Sequence, residues 1–522
     1  MEPKRPIRIE VVLGFPNRYP VGMSNLGFQA IYSLLNGLEG VRCERTFLWE
    51  TAGSGTLESG RPLSRYPLVA FSVPFELDYL HLLEILRRAR ISLLAKERRE
   101  TDPLIQVGGP CAFLNPEPLA PFVDLFVAGE GEMVLPSLMD ILQTAGSKEA
   151  FLGASARLPG VYVPHLYRVS YFDDGRIQSI RHQPPAPPRI KRQWVPHLSA
   201  CQTLSPITTP LSHFKNMCMI EVQRGCAYRC RFCAMGSIYR PLRHRSLNAL
   251  SSQIKQARIR GERIGLVGSA AADLPGLEEL CLLLSPSGEG IGISSLRADR
   301  LTPSLIRKLG QLGMQTITIA PEVGSERMRR VIDKKVTPHD VLETATLAAK
   351  AGIPKLKLYF IIGLPGEGEE DLLAILALVQ KVTQVSNLQA ITVSASAFVP
   401  KAATPFQWAP MNSEKVLRQK MRLLAEGVKR LGGVTFAGES PRLSLWQGLL
   451  AMGDRRLGMV MWHRQVEGLT WNRALRKAGL DRDFYVHRER SFQEILPWDI
   501  IDHGITKKRL WDEYLKAKQV MG

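Results

Sequence analysis

Short apolar runs separated by helix-length amphipathic stretches recur along most of this chain. In the first third the runs are Ile7–Leu13, Leu68–Val73, Leu104–Val107 and Leu125–Ala128, with helical patterning around Gly27–Leu38 and Asp78–Leu94. Continuous apolar runs of strand length suit strands covered on both faces, and their alternation with helices implies parallel β–α units. The expectation for residues 1–165 is therefore a doubly wound, flavodoxin-like α/β domain. A hairpin over Tyr167–Ile180 and the run Gln183-Pro-Pro-Ala-Pro-Pro-Arg189 follow, so that 166–215 reads as a hairpin and stiff linker.

A second series of runs begins near residue 216. It comprises Ile220 and Val222, Ile264–Gly268, Gly290–Arg297, Thr316–Glu322, Lys355–Gly363 and Ala390–Pro400. Six β–α units over 216–435 predict a parallel sheet, and polar residues gather at the C-terminal ends of its strands. Parallel barrels place their chemistry there, because the βα loops converge on that face. From about 412 onward the pattern is mostly helical, and 436–522 is expected to be a helical extension.

Composition narrows the class. With 45% hydrophobic and 22% charged residues the chain resembles an ordinary globular protein. It has no apolar run long enough to span a bilayer, and its start carries no secretory pattern, so a cytoplasmic protein without membrane attachment is expected. The net charge of +19 favours an anionic partner such as RNA. Tyr239-Arg-Pro-Leu-Arg243-His-Arg245, together with Arg327, Arg329, Arg330, Lys334 and Lys335, could clamp phosphates and stack a base. Runs of this kind are more often solvated helix faces.

Eight cysteines are present. Five are isolated and suit small core positions. The other three stand close together in Gly225-Cys226-Ala-Tyr-Arg-Cys230-Arg-Phe-Cys233. Zinc would want a fourth Cys or His at finger or ribbon spacing, which is missing, and a catalytic thiol needs no companions. Three thiolates on one loop suit a [4Fe–4S] cubane with one iron left open.

Cys-x3-Cys-x-aromatic-Cys resembles the radical S-adenosylmethionine (SAM) signature. The resemblance implies that Cys226, Cys230 and Cys233 hold the cluster. SAM would chelate the open iron, and its reductive cleavage would yield a 5′-deoxyadenosyl radical. It also implies that the six β–α units close into a partial (β/α)6 barrel and that Phe232 packs on adenine or the cluster. Ser295, Arg297 and Glu322 would contact the SAM ribose and carboxylate. Gly268 and Ser269 would meet the methionine amino group, although the usual Gly-Gly-Glu form is absent, and Ile362 and Gly363 would pack on adenine. Pro400–Trp408 would close over the radical site. A flavodoxin- or ferredoxin-like electron donor is the implied partner.

Gly108-Gly-Pro110, Asn115-Pro-Glu-Pro118 and Gly129-Glu-Gly-Glu132 look like loops of the cobalamin-binding-type domain that precedes many such cores. The Asp-x-His-x-x-Gly loop that supplies histidine to cobalt is missing. Either cobalamin binds without that ligand or the domain has lost it. The leading expectation is an enzyme that modifies a macromolecule, RNA or protein, and a cobalamin-dependent methyltransferase is the alternative. Methylthiolation ranks low, because Cys43 and Cys111 cannot supply a second three-cysteine cluster. A non-catalytic scaffold with a vestigial cluster also ranks low.

Overall fold

A computed structural model describes residues 7–49, 55–259, 262–284 and 291–522. Residues 1–6, at the start read for a secretory pattern, and Gly290, from the third run of the second series, lie outside these.

The first sheet contains β1 (Ile9–Phe15), β2 (Val41–Phe47), β3 (Leu68–Ser72), β4 (Leu104–Gly108), β5 (Leu125–Val127) and β6 (Val161–Tyr162). Their spatial order is β2-β1-β3-β4-β5-β6, and only β6 runs antiparallel. The β2-β1-β3-β4-β5 order is that of the flavodoxin-like doubly wound fold. β2 was not legible as a strand, because Arg42, Glu44 and Arg45 interrupt its apolar residues. Glu44 is nevertheless buried and accepts hydrogen bonds from Thr56, Ser59 and Tyr66. The expected hairpin is present as β7 (Tyr167–Tyr171) and β8 (Ile177–His182). The Pro-rich run leads into β9 (Ile190–Lys191), and Gln193 bridges Gly129 beyond β5.

The second body starts with β10 (Met217–Glu221). The short strands β11 (Gln223–Arg224) and β12 (Arg243–His244) pair antiparallel and bracket the cysteine loop. β13 (Arg263–Val267) and β14 (Ile291–Ile293) complete a parallel sheet in the order β10-β13-β14. β15 (Thr316–Glu322), β16 (Lys355–Ile362), β17 (Ala390–Ala397) and β18 (Val434–Gly438) form another, and a parallel bridge from Leu296 to Ile319 joins the two. The six expected strands thus follow one another around a partial barrel. β18 is a seventh, inside the stretch expected to be mostly helical. It has no fully buried residue, so it carries no apolar run to announce it.

Helix starts follow local chemistry. Thr337 and Asp340 form a capping box for Pro338–Lys350, and Asn25 caps Leu26–Gly37. The C-terminal region is mainly helical and ends in Lys507–Met521. Before that helix, β19 (Ile501–Asp502) pairs with β9, tying the chain's end to the linker. Among the described residues no helix is long and apolar enough to cross a membrane.

Candidate active site

The cysteine loop leaves β11 at Gly225, whose φ of +90° suits glycine. A Cβ there would come within 2.3 Å of the Tyr239 carbonyl, so the loop's two ends can close only around a glycine. Cys226, Cys230 and Cys233 are partly buried, and each of the later two thiols feels its neighbours electrostatically. The Cys233 N–H donates to the Cys230 carbonyl at 3.0 Å. Burial raises all three thiols, that of Cys233 to about 12. Among the described residues no three Cys, His, Asp or Glu converge tightly enough for a single ion. A cubane asks for something different, since its thiolates ligate separate irons and stand farther apart.

Strand ends deliver several of the other anticipated residues to this loop. Burial raises the Glu322 carboxyl while Lys334, 3.2 Å away, opposes the rise; both groups act on Cys230. Glu322 adopts φ +69° where β15 slips register against β16. Arg297 also reaches Cys230 and Cys226 electrostatically, but its Nε and Nη2 are engaged by Asp299 and its guanidinium lies 3.3 Å from the Tyr228 ring centre. Ser295 is exposed beside it. Ser269 donates to the Gly225 carbonyl, and Ser294 exchanges hydrogen bonds with the Gly268 backbone at 2.7 and 3.1 Å. Phe232 is half-buried against the largest core cluster. Ile362 and Gly363 are buried where β16 ends, and the Gly363 N–H donates to the Glu367 carboxylate at 2.6 Å.

The stretch 400–408 is packed into the interior. Phe406 and Trp408 are fully buried, and Trp408 packs edge-on against Trp511 of the last helix, with ring centres 5.0 Å apart. The Phe406 N–H donates to the Arg231 carbonyl, so the segment buttresses the cysteine loop.

Three of the arginines considered for an RNA clamp are internal, whereas Arg330 and Lys335 are exposed. Arg243 is buried on Glu130, Arg245 on Glu221, and Arg329 on Glu326. Arg224 binds Glu130 at 2.8 Å, Glu132 at 2.9 Å and Glu221 at 2.9 Å. Burial works against ionisation of Glu221, but Arg224 and Arg245 outweigh it and keep its carboxyl below the usual range. The acidic residues of Gly129–Glu132 therefore grip both strands that bracket the cysteine loop.

Between the C-terminal edge of the first sheet and β10-β13-β14 lies a cavity of about 640 Å³. Asn25, Ser72 and Gly129 border it on one side; Met219, Gly268 and Ser294 border it on the other. Sequence patterning did not find Gln106 and Gln223, which also line it and are 3% and 2% exposed. Gln106 Oε1 and both amide atoms of Gln223 lack any hydrogen-bond partner. Their signal was present only as single polar residues, Gln106 between Ile105 and Val107 and Gln223 between Val222 and Arg224.

Residues 220–379 match the family profile described as the radical SAM superfamily, and this span starts in β10 and includes the cysteine loop. The chain belongs to the radical SAM superfamily. It is an enzyme whose cofactors are a [4Fe–4S] cluster and SAM. Residues 27–164 of this radical SAM protein match the profile of radical SAM proteins' N-terminal region. An uncharacterized protein of Methanocaldococcus jannaschii is 28% identical over 454 residues, 86% of this chain and 89% of the relative. The structure of the radical SAM methyltransferase TsrM from Kitasatospora setae, with tryptophan and a SAM analogue, aligns at TM-score 0.52 and 15% identity. The alignment covers 74% of this chain and 72% of that one. The cobalamin-dependent SAM radical enzyme OxsB, with aqua-cobalamin and SAM bound, aligns at TM-score 0.51 and 15% identity. It covers 98% of this chain and 79% of that one.

Proposed function

We propose that this radical SAM enzyme is a cobalamin-dependent methyltransferase, with a corrinoid in the inter-sheet cavity and the cluster on Cys226, Cys230 and Cys233. The cavity is the observation that carries the reading, because it borders the loops of the first sheet and the start of the cysteine loop at once. Its fit is chemical. Val11, Leu13 and Met217 offer apolar surface to a macrocycle, and a Cβ at Gly108 would meet nothing within 4 Å, leaving room beside the strand end. No histidine borders it among the described residues, so the reading is a corrinoid without a protein imidazole on cobalt. The solved proteins that share the fold are, by name, a methyltransferase and a cobalamin-dependent enzyme.

When bound, the cluster supplies the electron that cleaves SAM to a 5′-deoxyadenosyl radical, and the corrinoid supplies a methyl group. The chain's own residues would bind and orient. Arg297, anchored by Asp299 and Tyr228, and Glu322, paired with Lys334, would hold the polar ends of SAM, with Ser295 at the rim. Gly268 and Ser269 would present backbone to the amino group. Ile362, Gly363 and Phe232 would act through apolar packing. A flavodoxin- or ferredoxin-type donor would provide electrons. An RNA or protein substrate would have to be recognised by residues other than Arg243, Arg245 and Arg329, which are engaged internally.

Anaerobically reconstituted protein should bind cobalamin with a shifted visible spectrum and should release 5′-deoxyadenosine from SAM on reduction. Cys230→Ala should lose iron and SAM cleavage, whereas Cys281→Ala, a core substitution, should retain both. A fully active Cys230→Ala protein would overturn the cluster assignment, and failure to bind any cobalamin form would overturn the corrinoid.

A further inference from the structure

Buried polar atoms in folded proteins nearly always have partners, and an exception calls for a physical explanation. Gln106 and Gln223 are exceptions on opposite walls of one cavity. Gln106 lies in β4, between the fully buried Ile105 and Val107. Gln223 lies in β11, two residues before the glycine that opens the cysteine loop. Gln106 lacks a donor for its Oε1, and Gln223 lacks partners for both its Oε1 and its Nε2.

We infer that Gln106 and Gln223 read the carboxamide-bearing edge of a corrinoid, each exchanging hydrogen bonds with a ligand amide; this rests on the corrinoid reading above. The demand of the two side chains defines the ligand group. A primary amide offers two donors and a carbonyl acceptor, which meets both the orphaned oxygens and the orphaned nitrogen. An anionic group would satisfy Gln223 Nε2 but would set its lone pairs against Gln106 Oε1, close to the acidic Glu130 and Glu132 on the same wall. A plain hydrocarbon would leave all three atoms unmet. A corrin ring carries amides around an apolar macrocycle, matching polar spots set in walls made otherwise by residues such as Leu13 and Met217.

The assignment makes two opposite predictions for the same substitution. In the corrinoid-free protein Gln223→Met removes an unsatisfied buried amide, so thermal unfolding should move to higher temperature. In the loaded protein it removes a hydrogen bond, so cobalamin should bind about tenfold more weakly. Gln106→Met should behave the same way.

The experiment titrates full-length wild type, Gln106→Met and Gln223→Met with cobalamin and with a corrin whose side-chain amides are replaced by methyl esters. Binding is followed by visible absorbance, and melting is recorded without ligand. Wild type should prefer the amide corrin, and each variant should lose that preference. Equal preference in all three proteins overturns the inference while the corrinoid reading stands, as does a variant that loses SAM binding but keeps its corrinoid affinity. A wild type that binds neither corrin overturns both.

Discussion

Glu130 shows how much one side chain can organise. It is 4% exposed, yet it accepts from Arg224, from both terminal nitrogens of Arg243 and from the Val195 N–H. Three satisfied partners make an ionised carboxylate tolerable inside the protein, and the arginines in turn depend on it. Glu130→Ala would leave Arg224 and Arg243 buried with diminished counter-charge. The expected cost is roughly 3–5 kcal/mol, measured by denaturant unfolding. Because both arginines sit on the short strands that bracket the cysteines, iron retention should fall in the same variant.

At the scale of elements, the last helix and the segment before it act as a support. Trp408, Trp511 and Tyr514 form one aromatic cluster, and Arg231 in the cysteine loop binds Glu513 of that helix at 3.2 Å. A fully buried tryptophan excludes water from several neighbours at once, so Trp408→Ala should destabilise by about 3–5 kcal/mol. The measurement is thermal unfolding combined with limited proteolysis. Cleavage should appear first within Lys507–Met521, because that helix loses its main apolar anchor. Retention of the wild-type melting profile would contradict this account.

For the molecule as a whole, the cavity belongs to neither sheet alone. Gly129–Glu132 closes one side and the start of the cysteine loop the other, and Arg224 joins them. Ligand in that space should therefore order both walls together. Hydrogen exchange with and without cobalamin should show added protection in Gly129–Glu132 and in Met217–Gly225, with little change in Thr316–Ile362. Protection confined to one wall would argue against a ligand shared by the two sheets.

The sequence by itself determined the radical SAM core. Three cysteines on one loop carry their chemistry in their spacing, and apolar runs of strand length announce buried parallel strands whatever lies around them. Local pattern also located the strand ends on which Arg297 and Glu322 stand. Only the tertiary structure decided what those side chains meet. β2 escaped notice because Glu44 and Arg45 are buried through partners distant in the chain, and a polar residue looks the same in sequence whether satisfied or exposed. Arg243, Arg245 and Arg329, which looked like part of a nucleic-acid clamp, became internal ties, since charge count carries no information about pairing. The segment 400–408 became a buttress once the final helix packed on it. Gln106 and Gln223 stand out only where two sheets face each other, because being unsatisfied is a property of the space around a side chain.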